Sequence, residues 1–306
     1  MTVSYLLRRL VTAILVVIGV TLAVFIIARL TGDPAVLLVG PGASEEDIQA
    51  IRQEFHLDRP ILEQYLLFAS GALRGDFGRS LIQGQPAMNL VLERMPATLE
   101  LTFAALLFSL VFAVPAGITA AVHRDSWIDR AVMLLSVIGQ CLPVFWLGIM
   151  LILVFSVSLH LLPAAGADTP QHLILPAITL GAFNMARTAR LVRSGMVEVL
   201  TSDYVRTARA KGLPELVVLL RHALRNSFLP ILTVLGIEIG QMLSGTVVTE
   251  QIFAWPGMGN LALKSIFARD FPVVQAAVFL GATIVVLINL GVDFLYVLID
   301  PRIKYR

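Results

Sequence analysis

The chain has 306 residues, of which 57% are hydrophobic and only 14% are charged, and its formal net charge is +2. Soluble domains carry about 25% charged residues, so this composition excludes a soluble domain and predicts an integral membrane protein. The single cysteine, Cys141, excludes an intrachain disulfide. We expect membrane lipid around such a chain, and no nucleic acid.

Apolar runs long enough to cross a bilayer, which takes about 20 residues, predict six transmembrane helices. The first run, Leu10–Ala28, follows two arginines but has no small-residue cleavage pattern, which indicates a retained helix rather than a signal peptide. Because the runs are continuous, they predict helices that satisfy their own backbone hydrogen bonds. The fold class is therefore an all-α membrane domain over residues 1–306. The five later spans are Leu101–Val122, Ala131–Leu159, Leu173 to about Arg193, Asn226–Thr249 and Phe271–Val292.

Basic residues predict the orientation of these helices. With a cytoplasmic N-terminus, fifteen Lys and Arg lie inside, whereas the short outer loop at 253–272 carries only Lys264 and Arg269. The long outer segment at 31–96 is discounted, because long translocated segments contribute little to this bias. Both termini are therefore expected in the cytoplasm.

Residues 31–96 form the one sizeable stretch outside the spans. Gly32-Asp33-Pro34 is predicted to end the first helix, and Ser44 with three acidic residues after it indicates the start of another. Gly71–Gly84 is rich in glycine and predicts turns. The segment is small for an independent core, so we expect a scoop that packs on the outer ends of the spans. A mobile loop is the alternative.

The segment between spans four and five, residues 194–225, contains the most unusual stretch of the sequence. DYVRTARAKGL, at Asp203–Leu213, has good helix formers, and Val199–Lys211 contains no internal Gly or Pro. Gly212 followed by Pro214 predicts a sharp helix end. Ala208 and Gly212 lie four residues apart, so they share a face that another backbone could approach. Docking of a soluble partner and contact with lipid headgroups are both compatible with this pattern.

The outer loop at 253–272 begins with FAWPGMGN. Trp255 suits an interfacial aromatic, and Pro256-Gly257 predicts a turn before a short helix. The Gly-x-Gly in this stretch is not a nucleotide loop, because no strand precedes it.

Enzyme signatures do not occur in the sequence. It lacks the zinc-protease, serine-hydrolase and phosphate-loop motifs, and its five histidines are dispersed without metal-ligand spacing. We therefore predict a non-catalytic protein with no metal site and no cofactor of its own.

Seven motifs in a fixed order, together with the Asp203 segment, give the whole chain a resemblance to permease subunits of ABC importers. It is similar to the dipeptide, oligopeptide, nickel and glutathione branch, and in particular to the first permease with the larger outer segment. The Arg206-Thr207 pair departs from the general Glu-Ala consensus of the loop, and the downstream Leu229-Pro230 stands later than usual. The motifs are GDPA at Gly32–Ala35, LDRPILEQY at Leu57–Tyr65, GDFGRS at Gly75–Ser80, ATLELT at Ala97–Thr102, WPGMGN at Trp255–Asn260, RDFPVVQA at Arg269–Ala276 and NLGVDFLYVLIDPRIKY at Asn289–Tyr305.

The resemblance implies a type I importer fold in a bacterial inner membrane and a set of partners. These are a second, homologous permease, two cytoplasmic ATPases that bind ATP and Mg²⁺, and an outer substrate-binding protein. The binding protein is expected to dock on the scoop and on Trp255, Pro256 and Gly257. The residues implied for ATPase coupling are Asp203, Arg206, Thr207, Ala208, Arg209, Lys211 and Gly212.

Polar residues inside the spans are candidates for a translocation pathway. An ionisable group in a membrane span should face protein or water, and for a cargo carrying both charges we expect Glu238 and Gln241 to line the pore. Hydrogen bonding between helices is the alternative. Arg187, Arg190 and Arg193 are expected to act as interfacial anchors, or else to pair with carboxylates of an ATPase or of a loop. Further polar residues in the spans are Gln140, Asn184, Asn289 and Asp293.

The predicted function is translocation of small peptides, with dipeptide-like cargo favoured. The same sequence pattern leaves glutathione, longer peptides and nickel chelates open as cargo. A secondary transporter without ATPases and a structural assembly factor are the competing classes.

Overall fold

Helices follow the apolar runs of the sequence. The computed structural model describes residues 3–30, 35, 44–54 and 58–299, and within them the only β-structure is an isolated bridge between Arg79 and Pro86. The predictions for Gly32–Pro34 and for residues 300–306 lie outside the described residues. The α-helices of eight or more residues are α1 Val3–Leu30, α2 Glu45–Glu54, α3 Ile61–Leu73, α4 Ala87–Val122, α5 Trp127–Cys141, α6 Val144–Leu151, α7 Ile174–Leu200, α8 Asp203–Ala210, α9 Arg225–Ile252, α10 Met258–Phe267 and α11 Phe271–Ile299.

Each of the six predicted spans coincides with a long helix or with a bent pair of helices. By length and composition, two helices of the described residues can cross a membrane, Ala87–Val122 and Phe271–Val292, and a third span is formed if the bent pair at 127–158 counts as one. The first span, the fourth and the fifth fall on α1, α7 and α9. α7 and α9 have 27 and 28 residues, which is about 40 Å of helix, but polar and charged residues interrupt their apolar stretches.

The third span is broken rather than continuous, which the sequence analysis did not predict. α5 ends at Cys141, α6 begins at Val144, and the two limbs are bent by 103°. The cause is Pro143, which has no N–H group and forces the preceding residue out of the helical region; Leu142 is extended, with φ −74° and ψ 125°. α6 continues as a wider, π-helical segment at Ile152–Ser158.

The chain forms two compact units, and the first comprises residues 97–256 and 287–306. α7 is its central helix, with twelve buried residues distributed along its length. Small residues allow α4 to approach it closely: a Cβ atom at Gly181 would lie 2.6 Å from the Ala105 carbonyl oxygen, and one at Gly117 would lie 2.6 Å from the Val192 Cβ atom. This is the small-residue packing by which membrane helices associate.

The second unit comprises residues 2–96 and 257–286. A series of aromatic contacts runs through it, from Phe25 to Phe68, from Phe68 to Phe77 and from Phe77 to Phe279, with ring centroids 5.1–6.0 Å apart. Buried alanines and valines of α4 and α11 pack around Phe77 and Phe279, the last two rings of this series. Glycines in the left-handed region, Gly75, Gly78 and Gly84, form the turns predicted for Gly71–Gly84.

Candidate functional site

The helix predicted within residues 194–225 is present as α8, although it starts later than Val199, where the run of helix formers begins. α8 begins at Asp203, because α7 continues to Leu200 and the helical conformation is interrupted at Thr201 and Ser202. The Ser202 hydroxyl donates to the Val199 carbonyl, 2.6 Å away, which closes the end of α7. Its predicted end is confirmed: Gly212 has φ +74° and its N–H donates to the Arg209 carbonyl at 2.9 Å.

The inner face of α8 is occupied by the chain itself. Val205 and Ala208 are 0% and 6% exposed and pack with Val218, against Val199 and Leu200 of α7. The expectation that Ala208 and Gly212 form a face for an approaching backbone is therefore wrong for Ala208, whose methyl group points into the chain's own core. Gly212 is required for its backbone conformation, since a Cβ atom there would meet nothing within 4 Å.

The outer face of α8 is exposed and basic. Arg206 is 76% exposed, with the Asp203 carboxylate 3.5 Å from its guanidinium. Arg209 forms a bidentate ion pair with Glu215, in which two guanidinium nitrogens donate to the two carboxylate oxygens at 2.6 and 3.2 Å. Hydrogen bonding to Arg209 holds the pKa of Glu215 below its ordinary value, against the smaller effect of burial. Thr207 and Lys211 are also exposed, so the predicted coupling residues other than Ala208 share one solvent-facing surface.

A buried ion pair holds the end of α7 that leads into α8. Arg193 donates to both carboxylate oxygens of Asp129 on α5, at 3.0 and 2.6 Å, and the Asp129 side chain is only 5% exposed. One turn earlier, Arg190 donates to the Gln140 side-chain oxygen at 2.6 Å. The expectation of interfacial anchors is therefore wrong for Arg190 and Arg193, which bind polar groups of the neighbouring helix.

The two predicted pathway residues lie in different environments. Glu238 is 0% exposed, and one of its carboxylate oxygens accepts a hydrogen bond from the Thr188 hydroxyl of α7 at 3.0 Å. Gln241 is exposed. Three residues on a helix are about 300° apart, so the side chains can point to different sides. The pore-lining prediction for Glu238 is wrong in this structure, and the alternative, hydrogen bonding between helices, describes it.

The turn at Phe253–Gly257, predicted to receive a binding protein, is largely buried. Trp255 is 3% exposed, and its indole N–H donates to the Ala97 carbonyl at 2.9 Å. The ring packs among Leu101, Leu180 and Met242. Trp255 therefore cannot present its ring to a receptor as expected, because burying its large apolar surface beside a satisfied N–H holds it inside the fold. Gly257 is buried as well, and Pro256 is half-buried.

Two further polar contacts bring separate parts of the sequence together. Asp270 accepts from the Ser80 hydroxyl at 2.5 Å and from the Leu81 N–H at 3.1 Å. The Thr98 hydroxyl donates to the buried Glu250 carboxylate at 2.7 Å. Sequence reasoning missed both, but the signal was present for the first, since Ser80 ends GDFGRS and Asp270 lies in RDFPVVQA.

Long apolar helices that pack on a central helix, with an exposed basic helix after it, are typical of the class of membrane transport subunits. The family comparisons agree with this class. The chain belongs to the family of binding-protein-dependent transport system inner membrane components, whose model matches residues 113–305, and the model of the N-terminal part of such components matches residues 2–102. It is thus a permease subunit of an ABC importer.

Full-length relatives are similar in sequence. The glutathione transport system permease protein GsiC of Escherichia coli (strain K12) is 43% identical over 304 residues, which is 99% of both chains. A protein with the same description from Shigella flexneri serotype 5b (strain 8401) has the same identity and coverage. The family resemblance drawn from the sequence motifs is confirmed by these matches.

Solved structures support the fold. The inward-facing MetNI methionine ABC transporter, in its native CY5 crystal form, aligns with a TM-score of 0.61 over 70% of this chain and 97% of that chain, at 18% identity. A second crystal form of the same transporter aligns with a TM-score of 0.59. At this identity the likeness concerns the fold alone, and it confirms the predicted ABC importer permease fold.

Proposed function

We propose that the subunit imports small peptides across a bacterial inner membrane, and that α8 is the segment through which cytoplasmic ATPases drive it. The observation that carries the proposal is the two-sided character of α8. Its inner face is fixed in the chain's own core, and its outer face is an exposed, basic surface. A helix fixed on one side and free on the other can receive a force from a partner and transmit it.

The route for that force runs through α7. Only Thr201 and Ser202 separate α7 from α8, and the Asp129–Arg193 ion pair ties this end of α7 to α5. Val192 and Met196, both 0% exposed, pack there with Ala121 and Ala223. A movement of α8 would therefore displace several membrane helices together, because tightly packed interiors transmit displacement.

Orientation and partners follow from the same proposal. The excess of Lys and Arg at 187–225 supports a cytoplasmic position for α8 and for both termini. The two ATPases would hold ATP and Mg²⁺, and a second permease would complete the pathway. A binding protein would deliver cargo on the opposite side, at surfaces other than the buried Trp255.

Peptide cargo is supported by the relatives, whose descriptions name glutathione transport. Glutathione is a peptide of three residues, so the relatives favour small peptides over nickel chelates. Dipeptide-like cargo and glutathione are the two leading candidates, and the exposed Gln241 is the pathway residue that remains in the proposal. Competition for uptake of labelled glutathione by unlabelled dipeptides, in cells that express the complete importer, decides between them. Uptake of neither compound would overturn the assignment to peptides of two or three residues.

Co-purification tests the coupling role of α8. Tagged protein from its native membrane should bring two ATPases and a second permease, whereas a lone homo-oligomer would refute the proposal. Arg206→Glu reverses a charge on the outer face of α8, and we expect ATPase co-purification and transport to be lost while membrane insertion is retained.

Arg124→Glu is the matched control, since Arg124 is 57% exposed in the loop between α4 and α5 and lies beside Asp125. The Arg124→Glu variant should still co-purify with the ATPases. Equal retention of ATPases by Arg206→Glu and Arg124→Glu would show that α8 is not the docking element.

A further inference from the structure

A carboxyl group is buried between α7 and α9 with a single hydrogen-bond donor. Glu238 of α9 is 0% exposed, and the Thr188 hydroxyl of α7 donates to its Oε2 atom at 3.0 Å. The other oxygen, Oε1, is buried as well, and no donor of the described part of the chain reaches it. An ionised carboxylate accepts hydrogen bonds at both oxygens, so this environment serves only one side of such an anion.

Asn184 brings a second acceptor of this kind to the same interface. It lies one turn from Thr188 on the same face of α7. One turn further on, the Leu180 Cδ1 atom is 3.3 Å from the position of a Cβ atom at Gly245 of α9, so Asn184 lies between two contacts of α7 with α9. Asn184 is 4% exposed, and its side-chain oxygen has no donor among the described residues. Two buried acceptor oxygens in one interface indicate that a donor is needed there.

The basic residues of α7 do not neutralise Glu238. Arg187 is the nearest along the helix, beside Thr188, but no ion pair joins it to Glu238 within the described residues. The next two, Arg190 and Arg193, bind polar groups of α5. An ionised Glu238 would therefore be a buried charge without a paired cation.

The other helices near Glu238 are no closer source of positive charge. α6 has no charged residue, and the charged residue of α11 is acidic. α4 meets α9 at Met242, and its one basic residue, Arg94, lies two turns before the contact residue Leu101. The basic residues of α9 and of the π-helical segment before it are more than three turns of helix from Glu238, and they are Arg221, His222 and Arg225. The acidic residues of α4, α9 and α11 have the same charge as an ionised Glu238, and they are Glu93, Glu100, Glu250 and Asp293.

A proton on Glu238 removes both difficulties. Burying an unpaired charge costs far more than burying a neutral polar group, and a buried acid without a cation becomes neutral instead. A protonated carboxyl group has one O–H donor and still accepts at its carbonyl oxygen. The Thr188 hydroxyl would then donate to the carbonyl oxygen, and the O–H group would supply the donor that the interface otherwise lacks.

We propose that Glu238 is a proton-binding site, held as a neutral carboxylic acid with its proton on Oε1, and that in this form it joins α9 to α7. The inference does not depend on the cargo or on the coupling role of α8. It assigns to Glu238 a role in helix association, in place of the pore-lining role expected from the sequence.

Infrared difference spectroscopy detects the proton. A protonated carboxyl group has a C=O stretching band that is separate from the carboxylate bands and shifts in D₂O. The importer, purified with its native partners, is measured at neutral pH as wild type and as Glu238→Gln, so that the difference isolates this one group. Glu198→Gln, at an exposed position of the same helix α7, is the matched control.

The wild type minus Glu238→Gln spectrum should contain a protonated-carboxyl band, and the wild type minus Glu198→Gln spectrum should contain carboxylate bands only. Carboxylate bands in both difference spectra would show that Glu238 is ionised and would overturn the proposal.

A second measurement compares two buried acids that contact α7. Glu238→Gln should unfold within about 1 °C of wild type, because its amide N–H takes the place of the acid O–H. Asp129→Asn, which removes a charge that is paired with Arg193, should unfold at a clearly lower temperature. A loss at Glu238→Gln as large as that at Asp129→Asn, or a failure of Glu238→Gln to assemble, would overturn the proposal.

The pH dependence of unfolding provides a further readout. Unfolding releases the proton wherever the pH is above the ordinary pKa of glutamate, about 4.3, whereas glutamine has no proton to release. Wild type should therefore lose stability relative to Glu238→Gln as the pH rises from 5 to 8. A difference between the two proteins that is constant over this range would contradict a bound proton.

Discussion

The consecutive helices α7 and α8 differ in how they meet their surroundings. Buried residues occur along the whole of α7, and at Gly181 the Ala105 carbonyl leaves no space for a side chain. α8 is buried only at Val205 and Ala208, and the rest of its surface is exposed. The chain between them is two residues long.

The difference assigns packing to α7 and partner binding to α8, within one continuous stretch of sequence. A tightly packed helix moves as one body with its neighbours, whereas an exposed helix leaves its outer surface for a partner. Substitutions along α7 should therefore affect the folded state, and substitutions on α8 should affect mainly local order and partner binding. The predictions that follow test this gradient from the most buried position to the most exposed.

Gly181→Val should have the largest effect. Its Cβ atom would lie 2.6 Å from the Ala105 carbonyl oxygen, a backbone atom that cannot rotate away, and overpacking of this kind costs about 1–3 kcal/mol or more. We expect little monodisperse protein by size-exclusion chromatography. Gly291→Val is the control, because a Cβ atom there meets nothing within 4 Å. Similar yields of the two variants would contradict the close packing of α4 and α7.

Asp129→Asn should have the next largest effect, at the point where α7 leads into α8. The substitution leaves the Arg193 guanidinium without its ion-pair partner in a mostly buried site. Because Arg193 is 26% exposed, water recovers part of the loss, and we expect about 1–3 kcal/mol of destabilisation. Thermal unfolding in detergent measures it. A double-mutant cycle with Arg193→Gln should show coupling, and additive effects would refute the pair.

Gly212→Val should loosen α8 locally without unfolding the protein. The left-handed backbone at Gly212, φ +74°, costs a residue with a Cβ atom about 1–2 kcal/mol. Amide exchange in the last turn of α8 should accelerate about 5- to 30-fold, while exchange in α7 stays unchanged. Gly212→Asn should be milder, because asparagine adopts this conformation more readily. Equal acceleration in α7 would show that the two helices open together.

Glu215→Gln should have the smallest effect, and it should depend on pH. Arg209 holds the pKa of Glu215 below its ordinary value, so the ion pair stabilises the fold above the ordinary pKa of about 4.3. The contribution disappears as the pH falls through the lower pKa of the folded state. Both partners are about half exposed, so we expect less than about 1 kcal/mol at pH 7.

Thermal unfolding of wild type and Glu215→Gln, at pH 7 and again below pH 4, measures this contribution. The two proteins should converge at acidic pH. A difference that grows on acidification would contradict the sign of the shift.

Much of the fold was readable from the sequence. The bilayer requires long apolar helices, and the left-handed backbone that ends a helix is adopted readily by few residues other than glycine. The positions of the long helices and the end of α8 at Gly212 were predicted on these grounds. The break at Pro143 was also encoded locally, but the apolar run across it concealed the two helices. The start of α8 at Asp203 was missed, since good helix formers fill both sides of the break.

The tertiary structure alone decided which side chains are exposed. Ala208, Glu238 and Trp255 are residues of different types that the sequence assigned to functional surfaces, and all three are buried. Burial depends on which residues of distant segments lie opposite, as Val218 does for Ala208 and Thr188 for Glu238. The sequence by itself determined the membrane class, the helices and the family, because these follow from local composition and motif order. The pairing of Arg193 with Asp129 and the contact of Tyr65 with Thr21 of α1 were decided by tertiary packing. No local pattern specifies contacts across 64 or 44 residues of chain.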